Sequence, residues 1–478
     1  MCESLRRPRA ALTLALALLL PLAACRSTPP APPVLDLPVA GASADQSLVR
    51  WWQHFDDPTL DALIEEALTN NLDLRTAMVR VDLARAHVLL AQSSLFPSLN
   101  LAVEPSRGRS TLAGWQPLPS GFNPVHNDYL VALRAAYEID LWGRAGKSTD
   151  AARQDLLASA YARETVRVAV GAETARAYFG LLAADAERTL QRETLQAREQ
   201  TLALQQRLQQ SGVIGDFDLQ RAQAERAAVL ANLAAAERAV GQYETALAAI
   251  VGRSPREVYE ARIARDASPA RLLAVPEIPA DLPSDLLERR PDVRQAAAQL
   301  AAADLRIDAA RAQYFPSLTL TASYGSESAA LSKLFSAPAL IWGVGASLLQ
   351  PLIGLKAIDA NVQAETARRE AALLNYTQSV QSAFRETRDA LIAHRQTRTT
   401  LAAQSERRRQ LKSALELAEL RYRAGYSGYL EVLDAQRQLL QAQSQEILTA
   451  RDRRFALIEL FKALGGGWEN GQLAAVKE

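Results

Sequence analysis

Tyr129-Leu130-Val131-Ala132-Leu133-Arg134-Ala135-Ala136-Tyr137-Glu138-Ile139-Asp140-Leu141-Trp142-Gly143-Arg144 alternates strictly for most of its length. Tyr129, Val131, Leu133, Ala135, Tyr137, Ile139 and Leu141 share one parity. Leu130, Ala132, Arg134, Ala136, Glu138 and Asp140 share the other. This is the period of a β-strand with one apolar face. Three further segments carry it: Leu99, Leu101 and Val103; Leu318, Leu320, Ala322 and Tyr324; and Trp342, Val344, Ala346 and Leu348. The pattern fits a half-buried soluble strand or a transmembrane strand with lipid on one side and water on the other. Closure is the stronger constraint. In hydrocarbon each unpaired backbone group costs several kcal/mol, so a sheet there cannot keep open edges. The smallest usual membrane barrel has about 8 strands. If these segments, about 98–105, 129–142, 316–325 and 340–350, span a bilayer, copies of the chain must share one barrel. The loops 106–127 and 325–339 then lie on one side of the membrane and the helices project from the other.

Outward from the strands the chain is helical. No proline occurs between Pro124 and Pro255, and none after Pro351. Proline costs about 3 kcal/mol inside a helix, so long helices run in these gaps. Segments 147–210 and 356–424 are helical in composition and end at Gly212 and Gly425, as a helix C-terminus should. Each spans on the order of 100 Å at ~1.5 Å per residue. Return helices follow at about 217–251 and 430–464, so that two hairpins pack in the manner of a coiled coil. Shorter helices are expected at about 59–95, broken near Asn70-Asn71, and at about 290–313.

The two halves echo each other. Asp73-Leu74-Arg75 and Phe96-Pro97-Ser98-Leu99 return as Asp292-Val293-Arg294 and Phe315-Pro316-Ser317-Leu318, at an offset of 219. Gly212, Gly215 and Ala222-Gln223 return as Gly425, Gly428 and Ala435-Gln436, at an offset of 213. Ordered matches of this kind indicate a tandem duplication.

Arg6, Arg7 and Arg9, the apolar run from Ala11 to Leu20, and Leu22-Ala23-Ala24-Cys25 form a secretory address. The last four residues resemble a lipobox, which makes Cys25 the lipid-carrying mature N-terminus. Arg26 stands where an aspartate often signals inner-membrane retention, so outer-membrane sorting is expected. The proline-rich run 27–38 reads as an extended tether. Once Cys2 is removed with the address, Cys25 has no partner for a disulfide. The formal net charge of +1 excludes a bulk basic field for nucleic acid. His54, His87, His126 and His394 show no metal-ligand spacing, and no nucleophile elbow or phosphate loop appears. Neither an enzyme nor a cofactor is expected.

Several motifs resemble those of the TolC-like outer-membrane efflux proteins, most closely the lipoprotein branch that serves resistance-nodulation-division pumps. They are Trp51-Trp52, Phe55, Asp57-Pro58, Leu60 and Asn71-Leu72-Asp73-Leu74; Tyr137 to Arg144; and Leu282-Pro283-Ser284, Leu286-Leu287 and Arg289-Arg290-Pro291-Asp292. The resemblance implies a mainly α fold with a transmembrane β-barrel. Four strands from each chain of a homotrimer build twelve, continued by a periplasmic α-barrel of helical hairpins. It divides the chain into a signal peptide 1–24, a lipidated tether 25–50, a first repeat 51–253, an equatorial connector 254–285, a second repeat 286–464 and a tail 465–478. It implies partners as well: a periplasmic adaptor, an inner-membrane pump and outer-membrane lipid.

By the same resemblance the tips Gly212-Val213-Ile214-Gly215 and Gly425-Tyr426-Ser427-Gly428 contact the adaptor and close the tunnel. Glycine there supplies a left-handed turn and lets another backbone approach. Glu431 and Asp434 match acids that ring the closed pore, and Asp218 and Tyr422 match positions that latch it. Part of the family has arginine at the position of Ser427, so the lock here is expected to differ. The implied function is passive conduction of drugs or other small molecules through the outer membrane. A duct for type I protein secretion or for metal-ion efflux is the alternative.

Overall fold

A computed structural model of the chain describes residues 49–111, 123–266, 272 and 290–468. The signal segment 1–24, Cys25 with most of the tether, much of the connector 254–285 including Leu282 to Arg289, and the end of the tail lie outside those residues.

A 3-10 turn, Trp51–Phe55, leads into α1 (Pro58–Asn70) and α2 (Leu72–Ser93). Strands β1 (Ser98–Arg109) and β2 (Val125–Ile139) follow, then the long α3 (Arg144–Gln210), its return α4 (Asp216–Ile250) and a short α5 (Pro255–Glu260). The second half repeats the order: α6 (Pro291–Arg311), a 3-10 turn Ala312–Tyr314, β3 (Ser317–Ser328), β4 (Leu340–Leu349), α7 (Leu355–Arg423) and α8 (Tyr429–Ala463). Two more 3-10 turns, Leu331–Lys333 and Ala337–Ala339, lie between β3 and β4.

The repeat is visible in single side chains. Gly143 and Gly354 start the long helices, Gly212 and Gly425 end them, and Gly252 and Gly465 follow the return helices. All six have positive φ, between 70° and 87°. Asn71 caps α2 and donates from Nδ2 to the carbonyl of Ile250, the last residue of α4 (2.7 Å). Its repeat mate Arg290 precedes α6 and donates from Nη1 to the carbonyl of Ala463, the last residue of α8 (3.3 Å). An orphan carbonyl at the end of each return helix is thus satisfied from the start of a short helix.

The four strands form one antiparallel sheet in chain order. The register aligns Leu101, Leu133, Tyr324 and Trp342 in one row, and Leu99, Ala135, Ala322 and Val344 in the next. Leu99, Leu101, Tyr324, Trp342, Val344 and Leu348 are exposed apolar residues on that face. The opposite face carries Asn100, Arg134, Ser323 and Gly343 in one row, and Ala136, Thr321 and Gly345 in another. Arg134 holds Glu104 there with two bonds, of 2.6 and 3.1 Å.

β1 runs on to Arg109, past Pro105, and β2 starts at Val125, so the connection is shorter than the loop 106–127 expected from sequence. The β1–β2 ladder runs through Pro105, which stands opposite Tyr129. β2 ends at Ile139 because Asp140 turns to cap α3. Its carboxylate accepts from the amides of Ala145 (3.1 Å) and Gly146 (2.7 Å). Trp142 locks this corner by stacking on Phe315 (4.7 Å) and donating from Nε1 to the carbonyl of Pro316 (2.7 Å).

The main core lies where the hairpins meet the N-terminal helices. Trp51 stacks on Phe461 at 5.3 Å, and Phe55 packs on Phe179 at 5.0 Å. Asp57 caps α1 through the amides of Thr59 (3.0 Å) and Leu60 (3.3 Å) and accepts from the Tyr178 hydroxyl (2.7 Å). Arg454 is buried with its guanidinium 4.3 Å from the Phe179 ring. Burial holds it down to about 10, opposed by the charge of Asp57. The long helices differ in burial. α3 carries a buried stripe along most of its length, whereas α7 buries only Val380, Ala383, Ala390, His394, Leu401 and Ala418.

Candidate functional site: the hairpin tips

Both long helices end in the same turn. After α3, the amide of Gly212 donates to the carbonyl of Gln209 (2.9 Å) and that of Val213 to Leu208 (2.9 Å). After α7, Gly425 donates to Tyr422 (3.0 Å) and Tyr426 to Arg421 (2.9 Å). This pair of bonds is the Schellman closure, and it places Gly212 at φ 75° and Gly425 at φ 78°. Gly215 and Gly428 differ from the sequence expectation of a left-handed role. They stand at φ −88° and −80° as N-caps of α4 and α8, a conformation any residue adopts. A side chain at either would meet open space, so each tip keeps room for an approaching surface. Val213 and Tyr426 are exposed, as are Phe217 and Leu430 just beyond them. Ile214 and Ser427 are half-buried.

Glu431 and Asp434 lie on the solvent side of α8, while Val432 and Leu433 between them are buried. Glu431 pairs with Arg421 at 3.0 Å, and Asp434 accepts from Nε2 of Gln438 at 2.6 Å. Arg221, Leu430, Arg437 and the two acids line one open groove. The acids therefore share a face with three bases, which neutralise them in part. One protomer does not bring Asp218 and Tyr422 together. The Asp218 carboxylate and the Tyr422 hydroxyl have no hydrogen-bond partner among its described residues. The Tyr422 ring instead packs against Tyr429 at 5.9 Å.

Also missed was the seam between the hairpins. Arg198 of α3 bonds Gln436 of α8, and Arg437 reaches Glu225 at 3.4 Å. Above them, Ser444 donates to Glu187 at 2.9 Å. In sequence only the echo of Ala222-Gln223 at Ala435-Gln436 touched this seam.

An apolar-faced sheet with two open edges, rooted on two helical hairpins with exposed tips, defines a component of a membrane-spanning channel. The chain belongs to the outer membrane efflux protein family, whose model matches residues 63–253 and 282–466. It is similar to the solvent efflux pump outer membrane protein SrpC of Pseudomonas putida, 32% identical over 438 residues, or 90% of this chain and 91% of that one. The probable outer membrane lipoprotein SilC of Salmonella typhimurium is 32% identical over 418 residues, 87% and 88% of the two chains. The crystal structure of the CmeC outer membrane channel of Campylobacter jejuni matches with a TM-score of 0.85 and 25% identity, over 93% of this chain and 98% of that one. The chain is an outer-membrane efflux channel component and not an enzyme.

Proposed function

We propose that three copies of this chain form the outer-membrane exit duct of a resistance-nodulation-division efflux system, conducting drugs and organic solvents passively. The observation that carries it is the sheet: four strands, two open edges and a continuous apolar face. Three such sheets give twelve strands, enough to close in lipid. Cys25 carries the lipid anchor, in keeping with the lipoprotein relative. The chain divides as its sequence suggests, into an address, a tether, two repeats around an equatorial connector, and a tail.

In the trimer each tip acid becomes three around one axis. Asp218, Tyr422, Glu431 and Asp434 form the gate, and residues 212–215 and 425–428 receive the periplasmic adaptor. Closure at the tip requires contacts between neighbouring hairpins, which accounts for the Asp218 carboxylate and the Tyr422 hydroxyl lacking hydrogen-bond partners among one protomer's described residues.

The test is planar-bilayer conductance of the purified protein. Replacing Asp218 and Tyr422 together with alanine is expected to raise conductance several-fold over the wild type. Unchanged conductance rejects the gate. A water-soluble monomer, with no heat-labile trimer band in outer-membrane fractions, rejects the duct.

A further inference from the structure

Arg198 stands twelve residues before the end of α3, about 18 Å up the helix from the tip at ~1.5 Å per residue. Its neighbours Glu199 and Arg226 are exposed and pair with each other, yet Arg198 is only 5% exposed. No carboxylate pairs with it among the described residues. Its guanidinium is held by a neutral group on α8 of the other hairpin, the Gln436 side-chain oxygen, and Tyr429 stands seven residues before Gln436, on the same face of α8. Its Nε has no hydrogen-bond partner among the described residues. The Tyr429 ring in turn packs on Tyr422, at 5.9 Å and 58°. Arg198 on α3 and Tyr422 in the last turn of α7 therefore both bear on one face of α8.

The chemistry of this grip suits a part that must release. A buried carboxylate partner would make separation strongly unfavourable, because parting leaves two uncompensated charges. Neutral acceptors bind a guanidinium with ordinary charge-assisted hydrogen bonds, which water can replace once the seam opens.

We propose that Arg198 is the positioning residue of the gate: gripping Gln436, it fixes the face of α8 on which Tyr422 packs and holds the second hairpin against the first, and its release is a step in opening. The proposal rests on the assignment of Tyr422 to the gate, and the experiment separates the two.

Full-length trimers are reconstituted in planar bilayers as the wild type and as Arg198→Ala, Arg198→Lys, Tyr429→Phe, Gln436→Leu and Tyr422→Ala, with the exposed Arg226→Ala as control. Losing the grip is expected to raise the open fraction about tenfold in Arg198→Ala, a change of about 1.4 kcal/mol. Gln436→Leu, which keeps shape and loses the bond, is expected to give a like rise, and Tyr429→Phe, which keeps its ring against Tyr422, a smaller one. Arg198→Lys restores most of the closure, and Arg226→Ala matches the wild type. A purely structural role would lower trimer heat resistance without this graded conductance. If Arg198→Ala does not assemble, the two shape-preserving variants decide. Wild-type conductance in the Arg198, Tyr429 and Gln436 variants, with a rise in Tyr422→Ala, overturns the grip and leaves the gate standing. Wild-type conductance in Tyr422→Ala as well overturns both.

Discussion

At the scale of single residues, the tip glycines separate two roles that sequence alone merges. Gly425 and Gly428 sit three apart and both recur from the first half, so spacing marks the pair equally. Only the backbone shows that Gly425 is left-handed and Gly428 extended. An L side chain in the left-handed region costs roughly 1–2 kcal/mol. Gly425→Ala is therefore expected to speed tryptic cleavage after Arg423 about fivefold, since about 1 kcal/mol of local stability is lost. Gly428→Ala is expected to be cut at the wild-type rate, and equal acceleration in both would contradict the assignment. The hairpin turns were legible because helix ends leave a local signature. Arg198 was not, because nothing distinguishes it within a charged helix and its partner Gln436 is 238 residues away. The pairing of Glu431 with Arg421 was hidden for a milder reason. The two flank the turn, and only the hairpin's closure brings them within 3.0 Å.

At the scale of elements, alternation marked all four strands and the proline-free gaps marked the long helices. Strand ends were harder to place, because they depend on neighbours. Pro105 reads as a stop although the β1–β2 ladder runs on through it, and Asp140 reads as strand until its carboxylate is seen capping α3. The register now assigns each face. Trp342 lies in the apolar row with Leu101, Leu133 and Tyr324, whereas Thr321 lies on the opposite face between Ala136 and Gly345. Arginine on the lipid side of a membrane barrel costs about 2–4 kcal/mol near the midplane, and lumen positions tolerate it. Trp342→Arg is thus expected to cut the yield of assembled protein in outer-membrane fractions sharply, and Thr321→Arg to leave it near wild type. The reverse order of yields would turn the sheet inside out.

At the scale of the whole molecule, the described residues leave apolar surfaces uncovered. α2 packs Leu74, Ala77, Val81, Ala84 and Val88 against its own protomer. On the other side of the same helix, Leu72, Val79, Leu83 and Leu90 recur at spacings of 7, 4 and 7 and are 57% to 68% exposed. A helix that is apolar on two opposite faces is one that is buried on both. The second stripe leads directly into the open edge of β1, and α7 leaves much of its own length uncovered. A closed ring would bring these surfaces together. Removing Leu83 forfeits about 1–2 kcal/mol of burial per copy, and a carboxylate in its place adds the penalty of an unpaired charge. Leu83→Glu is therefore expected to abolish the heat-labile trimer band while the chain is still made and exported. Arg85→Ala, which breaks only the exposed pair with Asp82, is expected to keep that band, since such pairs contribute about 0–1 kcal/mol. If Leu83→Glu assembles as well as the wild type, the stripe faces solvent and the proposed ring must be sealed through some other surface.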